Sequence, residues 1–415
     1  MQSSTLKQLW VLMATVFIDM VGGLMVFPLL PFYAKRLGAT DLMATLLVTA
    51  FFLAQATTSP LWGRLSDRYG RRPMILIGLL SSAAAYVLFG LASALWILFV
   101  SRLVQGAGGG TTGVVQAYVA DAVEPQDRAK ALGWISAATS AGVMLGPLLG
   151  SFSTYLGPQA PGFLAAGLCV VNALFAWRWL PETNHLRQGA AEAEPAGAGA
   201  QPSPPRPRSS SWRAIWSVVS HPAAPISSLI WIYTIGMMAF MAMNAVLALF
   251  LNRSFGVTEQ TIGYFYTYVG CISLVMRAVL LGPALKRFGE VGATRLGALS
   301  LVIGLATIPI ADNLPTLAIT VLFVPVGTAL LFPATTALLS RQAPRGETGL
   351  VMGIQQTFGN MARTVGPAWA GALFQKNLHY PFWVAAALML GVSFLTRRQQ
   401  AEPRAEKRVP AADPT

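Results

Sequence analysis

The chain is predicted to be an all-α polytopic membrane protein built as two related halves of six helices each. Three observations carry that prediction. Hydrophobic residues make up 54% of the 415 positions and charged residues only 11%, against about 25% charged in an ordinary soluble domain. Apolar runs of about 20 residues recur along the chain, the length that crosses a hydrocarbon core of about 30 Å. Short patterns also return about 220 residues later: Gly63, Arg68, Tyr69 and Gly70 match Gly282, Arg287, Phe288 and Gly289, and Gly133, Gly146 and Pro147 match Gly353, Gly366 and Pro367. Agreement of several positions at nearly one offset indicates duplication.

Taken in order, the runs cover 8–33, 42–65, 73–93, 95–120, 130–156, 161–180, 223–251, 260–285, 292–311, 314–340, 348–375 and 379–396. They are predicted helices, because lipid offers the backbone no hydrogen-bond partners and these runs are too long for barrel strands. The first has no small-residue cleavage site after a short apolar core, so it reads as retained rather than as a signal peptide. The halves are placed at 1–181 and 223–398. Between them, 182–222 is a linker whose middle, Gly189 to Ser211, is rich in Ala, Gly, Pro and Ser. Just beyond, Trp212, Ile215, Trp216 and Val219 fall at helical spacing, which fits either a short interfacial helix or a disordered stretch. The tail, 399–415, has the polar, proline-bearing composition of a disordered segment.

The net charge of +13 comes from surface asymmetry and not from a nucleic-acid site. With both termini cytoplasmic, and with Arg64, Lys130, Arg178 and Arg295 at the run ends counted on the inner side, Lys and Arg divide 22 inside to four outside: Lys35, Arg36, Arg253 and Lys376. That bias sets orientation and gives anionic lipid headgroups a basic face. Cys169 and Cys271 both fall inside spans, which implies no disulfide framework. His185, His221 and His379 lie outside the spans and form no metal-ligand cluster, and no phosphate-cradling loop of the Gly-x-x-x-x-Gly-Lys kind is present. No cofactor, metal or catalytic constellation is therefore expected, and the chain is read as something other than an enzyme.

Polar residues inside the spans are the candidate functional groups, because each is costly in lipid and belongs beside a cavity or a partner. Asp19, in the first run, is the only acid deep in any span, near mid-depth by helical rise. Burial and a nearby arginine act in opposite senses on such a carboxylate, the balance that suits reversible protonation; the plainer alternative is a packing hydrogen bond. Arg102, in the fourth run, stands about 11 Å from the outer end, a long reach for a snorkelling side chain. The depths allow it to share a cavity with Asp19. Gln105 follows one turn on. Met237, Met238 and Met241 lie on one face of the seventh run near Asn244, a deformable lining for varied ligands or ordinary lipid-facing methionine. Gln355, Gln356, Asn360 and Arg363 are the polar groups of the eleventh run; Arg277 lies near enough to the cytoplasm to snorkel.

The stretch from Gly63 to Pro73, with Asp67, Arg68, Gly70, Arg71 and Arg72, resembles the signature joining the second and third helices of the major facilitator superfamily. The copy at 282–289 is partial, with Lys286 where Asp67 would fall. The resemblance implies two six-helix bundles around a central cavity. It also implies an ionic latch holding the cytoplasmic side shut, with Arg71 facing Asp121. Arg102-Leu-Val-Gln105-Gly106 is similar to a pattern of proton-coupled members. Gly142, Gly146, Pro147 and Gly150 resemble the fifth-helix signature of drug–proton antiporters, and Asp19 followed by Pro28-Leu-Leu-Pro31 is similar to tetracycline-type exporters. Physically, small residues four apart permit close helix packing and the proline bends the helix. What this implies is a monomeric carrier in the cell membrane, with protons and a small amphipathic compound as its partners. Organic anions or metabolites, drawn by the arginines, are the second expectation.

Overall fold

The computed structural model describes residues 3–124, 126–183, 209–344 and 347–397. Residues 184–208 of the linker and the tail from 398 lie outside them. Among the described residues there is no strand, and every predicted run is helical.

In the first half, α1 (Ser3–Val26) passes through a 3-10 turn, Phe27–Leu29, into α2 (Leu30–Arg36). The turn follows from Pro28 and Pro31, which cannot donate to a continuing ladder. Helix α3 (Asp41–Tyr69) starts where the Thr40 hydroxyl accepts from the Met43 N–H at 3.3 Å, an N-cap that satisfies an orphan donor. Then come α4 (Arg71–Gly90), α5 (Leu95–Gly108), α6 (Thr111–Ala122), α7 (Arg128–Ser153) and α8 (Ala160–Trp179). A short helix, α9 (Ser209–Ser220), leads into the second half: α10 (Pro225–Phe255), α11 (Ile262–Val275), a π-helical turn at Met276–Leu280, α12 (Leu281–Thr307), α13 (Leu314–Gln342), α14 (Thr348–Lys376) and α15 (Tyr380–Arg397).

Eight helices are individually long and apolar enough to span a membrane. The remaining predicted spans differ for local reasons. The fourth run breaks at Gly109-Gly110 into α5 and α6. The eighth and ninth form one continuous helical stretch, Ile262–Ile310, folded back at Gly289, whose φ of 69° and ψ of 177° only glycine tolerates well. Helix α14 carries Gln355, Gln356, Asn360 and Arg363 in its middle, and the apolar part of α15, Tyr380–Thr396, is short.

The duplication read in the sequence extends to interactions. Ser81 Oγ donates to the Val104 carbonyl at 3.2 Å, and 219 positions on Ser300 Oγ donates to Phe323 at 2.7 Å. A methyl group at Gly78 would sit 3.2 Å from the Gly108 carbonyl, and one at Gly297 would sit 2.9 Å from that of Gly327. Both pairs let helices approach closely where lipid supplies no hydrophobic drive.

The face carrying the N-terminus and the Gly70 and Gly289 turns is the basic one. The two halves are tied together away from it. From mid-depth outward, Thr49 Oγ1 donates to the Thr364 carbonyl (3.1 Å), Thr267 Oγ1 to Met144 (3.4 Å) and the Gly263 N–H to Ser151 Oγ (2.8 Å). At the far face Arg253 bonds both oxygens of Asp41 (2.7 and 2.9 Å), Lys35 pairs with the same carboxylate at 2.6 Å, and Arg36 pairs with Glu259. One turn further in than Thr267, Cys271 Sγ donates to Met144 Sδ at 3.5 Å. Among the described residues no hydrogen bond or ion pair joins the halves nearer the basic face than that, and Gly63, Gly133, Gly282 and Gly353 have open space where a side chain would stand. The molecule is closed on the far side and parted on the basic side.

Candidate functional site

Asp19 stands at mid-depth in α1 and lines a cavity of about 360 Å3 within the first half. Around it are Thr15, Ile75, Leu79, Thr111, Thr112, Gln116, Ser136 and Thr139, from α1, α4, α6 and α7, on the basic half of each helix. Among the described residues Asp19 makes neither an ion pair nor a hydrogen bond. The hydroxyls and the Gln116 amide nearby can stabilise either protonation state by donating or accepting. The cavity gives a lone carboxyl group room for water, without which a charge at that depth would be prohibitive.

Arg102 is elsewhere. It is only 4% exposed, and its guanidinium lies 5.4 Å from the Phe89 ring centre and 6.0 Å from that of Tyr86 while donating to Ser101 Oγ at 3.0 Å. Ring faces attract a cation, more so away from water, and here they replace the expected carboxylate. Gln105 donates to the Tyr86 hydroxyl, so α4 and α5 share a polar knot. The expected common cavity for Asp19 and Arg102 is not present in this arrangement: Arg102 does not line the Asp19 cavity, and the two side chains form no ion pair.

The 63–73 segment is less of a loop than its glycines suggest. Gly63 to Tyr69 are the last two turns of α3, and the whole reversal happens at Gly70, with φ 102° and ψ 159°. Arg71 is buried and reaches three partners: Nε to Asp121 Oδ2 at 2.9 Å, and NH1 to Asp67 Oδ1 and Ser66 Oγ, both at 2.7 Å. Arg68 is exposed beside Tyr69, and Arg72 bonds the Trp177 carbonyl. Arg71 and Asp121 therefore meet, but both belong to the first half. Their pair fastens α4 to α6 and does not bridge the gap, so it holds no side shut in this conformation.

Three features had escaped the sequence reading. The Glu182 carboxylate accepts from the Arg71 and Arg72 N–H groups at 2.9 and 3.0 Å, placing negative charge on the N-terminus of α4. A side chain at Gly70 would strike that carboxylate. Glu290 and Arg341 pair at 2.9 Å, at the positions offset by 219 and 220 from Arg71 and Asp121, so the second half repeats the ion pair with its signs exchanged. The third is the far-face set of Asp41 and Glu259. Three of the four cations that the sequence count assigns to the outer side, Lys35, Arg36 and Arg253, are its partners. The acids beside them in sequence were the available signal.

Helix α7 presents Gly142, Gly146 and Gly150 to α1; a methyl at Gly142 or Gly146 would sit 2.8 Å from the Phe17 or Val21 carbonyl. Its other side carries Pro147 and Ser151 to α11 of the second half. In α14, Gly366 packs on α10 in the same manner, with Ala362 and Ala370 buried. Met237 is buried, while Met241 and Asn244 are half-buried, the latter bonding the Phe240 carbonyl of its own helix at 2.9 Å. Gln355 is buried against Thr336 (3.1 Å). Gln356, Asn360 and Arg363 stay at least partly exposed. In the linker, α9 buries Val218, not the Trp216–Val219 side, and Trp231 donates to the Val218 carbonyl.

A sequence model of the Major Facilitator Superfamily matches residues 12–324 and 229–414. The chain is 28% identical over 382 residues to Multidrug resistance protein 2 of Bacillus subtilis, covering 92% of each chain. It is 27% identical over 380 residues to the class B tetracycline resistance protein of Escherichia coli, covering 91% of this chain and 90% of that one. Its fold superposes on the human organic anion transporter MFSD10 with a TM-score of 0.67 and 22% identity, over 95% of this chain and all of that one. Two helical halves tied on one face and parted on the other, with this match along the chain, make it a multi-pass membrane transporter and not an enzyme: it belongs to the Major Facilitator Superfamily.

Proposed function

We propose that the chain exports small amphipathic compounds in exchange for protons, by alternating access, as a monomer in the cell membrane. The observation that carries this reading is Asp19: the lone acid deep in the spans, without an ion pair or hydrogen bond among the described residues, lining a mainly apolar cavity that hydroxyls and the Gln116 amide also reach, on the basic half of the first bundle. The basic face is read as the cytoplasmic one, because 22 of the 29 Lys and Arg residues fall on that side against four on the other; both termini are then inside. The bundles, 1–181 and 223–398, rock about the mid-depth contact of Thr49 with Thr364. Relatives named for multidrug and tetracycline resistance support an efflux direction.

In this scheme Asp19 takes a proton when its cavity faces outward and releases it inward, so the carboxyl group is charged only while water reaches it. The gap between the bundles is the substrate path, and substrate leaves through it on the outer side as the proton enters. Asp19→Asn, which keeps shape and removes the titration, is expected to abolish pH-driven efflux from proteoliposomes while thermal unfolding of the purified protein stays unchanged. Coupled transport at the unmodified rate by that variant would remove Asp19 from the scheme.

A further inference from the structure

Arg363 sits 15 residues into α14, about 22 Å along it, and Asp19 is at nearly the same depth in α1. Among the described residues Arg363 has no ion pair; its NH1 donates to Asn360 Oδ1 at 3.1 Å. Gln356 Nε2 approaches the same oxygen at 3.4 Å. One acceptor is thus shared by two donors, and what remains facing outward from Gln356, Asn360 and Arg363 is mainly N–H.

The placement of this stripe follows from the rest of the helix. Gly359 and Gly366 press on α10, Thr364 and Gly371 on α3, and Met361 and Val365 are exposed on a third side. Gln356, Asn360 and Arg363 lie between the α10 face and the α3 face, which is the side of α14 that looks into the gap between the bundles. Arg363 is directly below the Thr49–Thr364 contact that closes it. One turn toward the basic face, Gly359 abuts Tyr233, whose ring is 5.3 Å from that of Phe332, itself 6.3 Å from Phe240. All three rings are half-buried.

We infer that this wall of the gap is a subsite for an aromatic carboxylate, with Arg363 taking the anionic end of the substrate and the rings of Tyr233, Phe332 and Phe240 its flat body. The inference rests on reading the gap as the substrate path. A guanidinium is costly at mid-membrane without a counter-charge. Its planar fork fits a carboxylate through two parallel hydrogen bonds, and aromatic faces below it favour a flat ligand. The shared Asn360 oxygen fixes the guanidinium in advance, so little ordering is left for binding.

The test is equilibrium binding to the full chain in nanodiscs, read by the fluorescence of anthracene-2-carboxylate, its methyl ester and the cation ethidium. The carboxylate is expected to bind about tenfold more tightly than the ester, equivalent to about 1.4 kcal/mol. Arg363→Gln is expected to reduce that preference below about twofold, with ester and ethidium affinities unchanged; Arg363→Lys keeps part of it. Asn360→Asp, which supplies a carboxylate beside the guanidinium without removing it, is expected to erase the preference too, and covers the case in which Arg363→Gln does not fold. Equal binding of acid and ester by the unmodified protein, or a tenfold preference surviving in Arg363→Gln or Asn360→Asp, would overturn the subsite. No proton gradient is used. A preference found in a protein that shows no pH-driven efflux upholds the subsite and rejects the coupling scheme, and the reverse result does the opposite.

Discussion

Gly70 and Arg102 show how single residues in this protein answer to different constraints. Gly70 has a backbone conformation that is essentially reserved for glycine, and a Cβ would also lie 2.5 Å from the Glu182 carboxylate. Gly70→Ala is therefore expected to cost about 2 kcal/mol or more, seen as a lower unfolding temperature of the detergent-solubilised protein. Gly63→Ala, in open space within a helix, should leave that temperature unchanged. Arg102 was legible as a buried cation but not as one held by rings. A sequence shows that a charge needs company; which company it finds depends on rotamers and on neighbouring helices.

The ion pair of α4 with α6 is the clearest case at the level of elements. Arg71 and Asp121 are both nearly out of contact with solvent, at 5% and 9% side-chain exposure, so removing Arg71 leaves Asp121 charged and uncompensated. Arg71→Ala is expected to destabilise the first bundle by about 3–5 kcal/mol, the range for breaking a buried pair. Arg341→Ala should change stability by no more than about 1 kcal/mol, because Arg341 is 65% exposed and its pair with Glu290 is screened. Chemical or thermal denaturation of both variants would check the asymmetry. The sequence displays the repeat through glycines and prolines, whose backbone roles tolerate little change. It hides the sign-exchanged pair, because a reversed ion pair satisfies the same geometry with neither residue type preserved.

For the whole molecule, two glycines hold the far face together. A side chain at Gly371 would run into Thr45 of α3, and one at Gly263 would sit 2.6 Å from Ser151 Oγ and the Pro147 carbonyl. Gly371→Val and Gly263→Val are expected to wedge the halves apart and shift the population toward the opposite opening. Labelling of cysteines introduced on the two faces would report this as increased reaction on the far face and decreased reaction on the basic face. Acidity acts on the same closure. Burial pushes the Glu259 carboxyl above the ordinary carboxylate range, and the charge of Arg36 pulls it partly back. A raised value in the closed form means that protonation favours closing. That contribution is complete below the ordinary carboxylate range and fades as pH rises through the closed-form value. Spin-label distances across the far face should therefore shorten on acidification of that side, and Glu259→Gln should remove this part of the response.

Hydrophobic length, the distribution of Lys and Arg and the spacing of the repeated motifs determined the helical membrane class, the duplication and the position of the acid in α1. These are properties of one segment at a time, set by what a bilayer accepts from a backbone and a side chain. The break of the fourth run, the rings around Arg102, the carboxylate cap from Glu182 and the clasp of Asp41 with Lys35 and Arg253 were decided only in three dimensions. Each depends on helices distant in sequence arriving at one depth and one rotation, and polar groups in a membrane take whichever partner that packing brings within hydrogen-bonding reach.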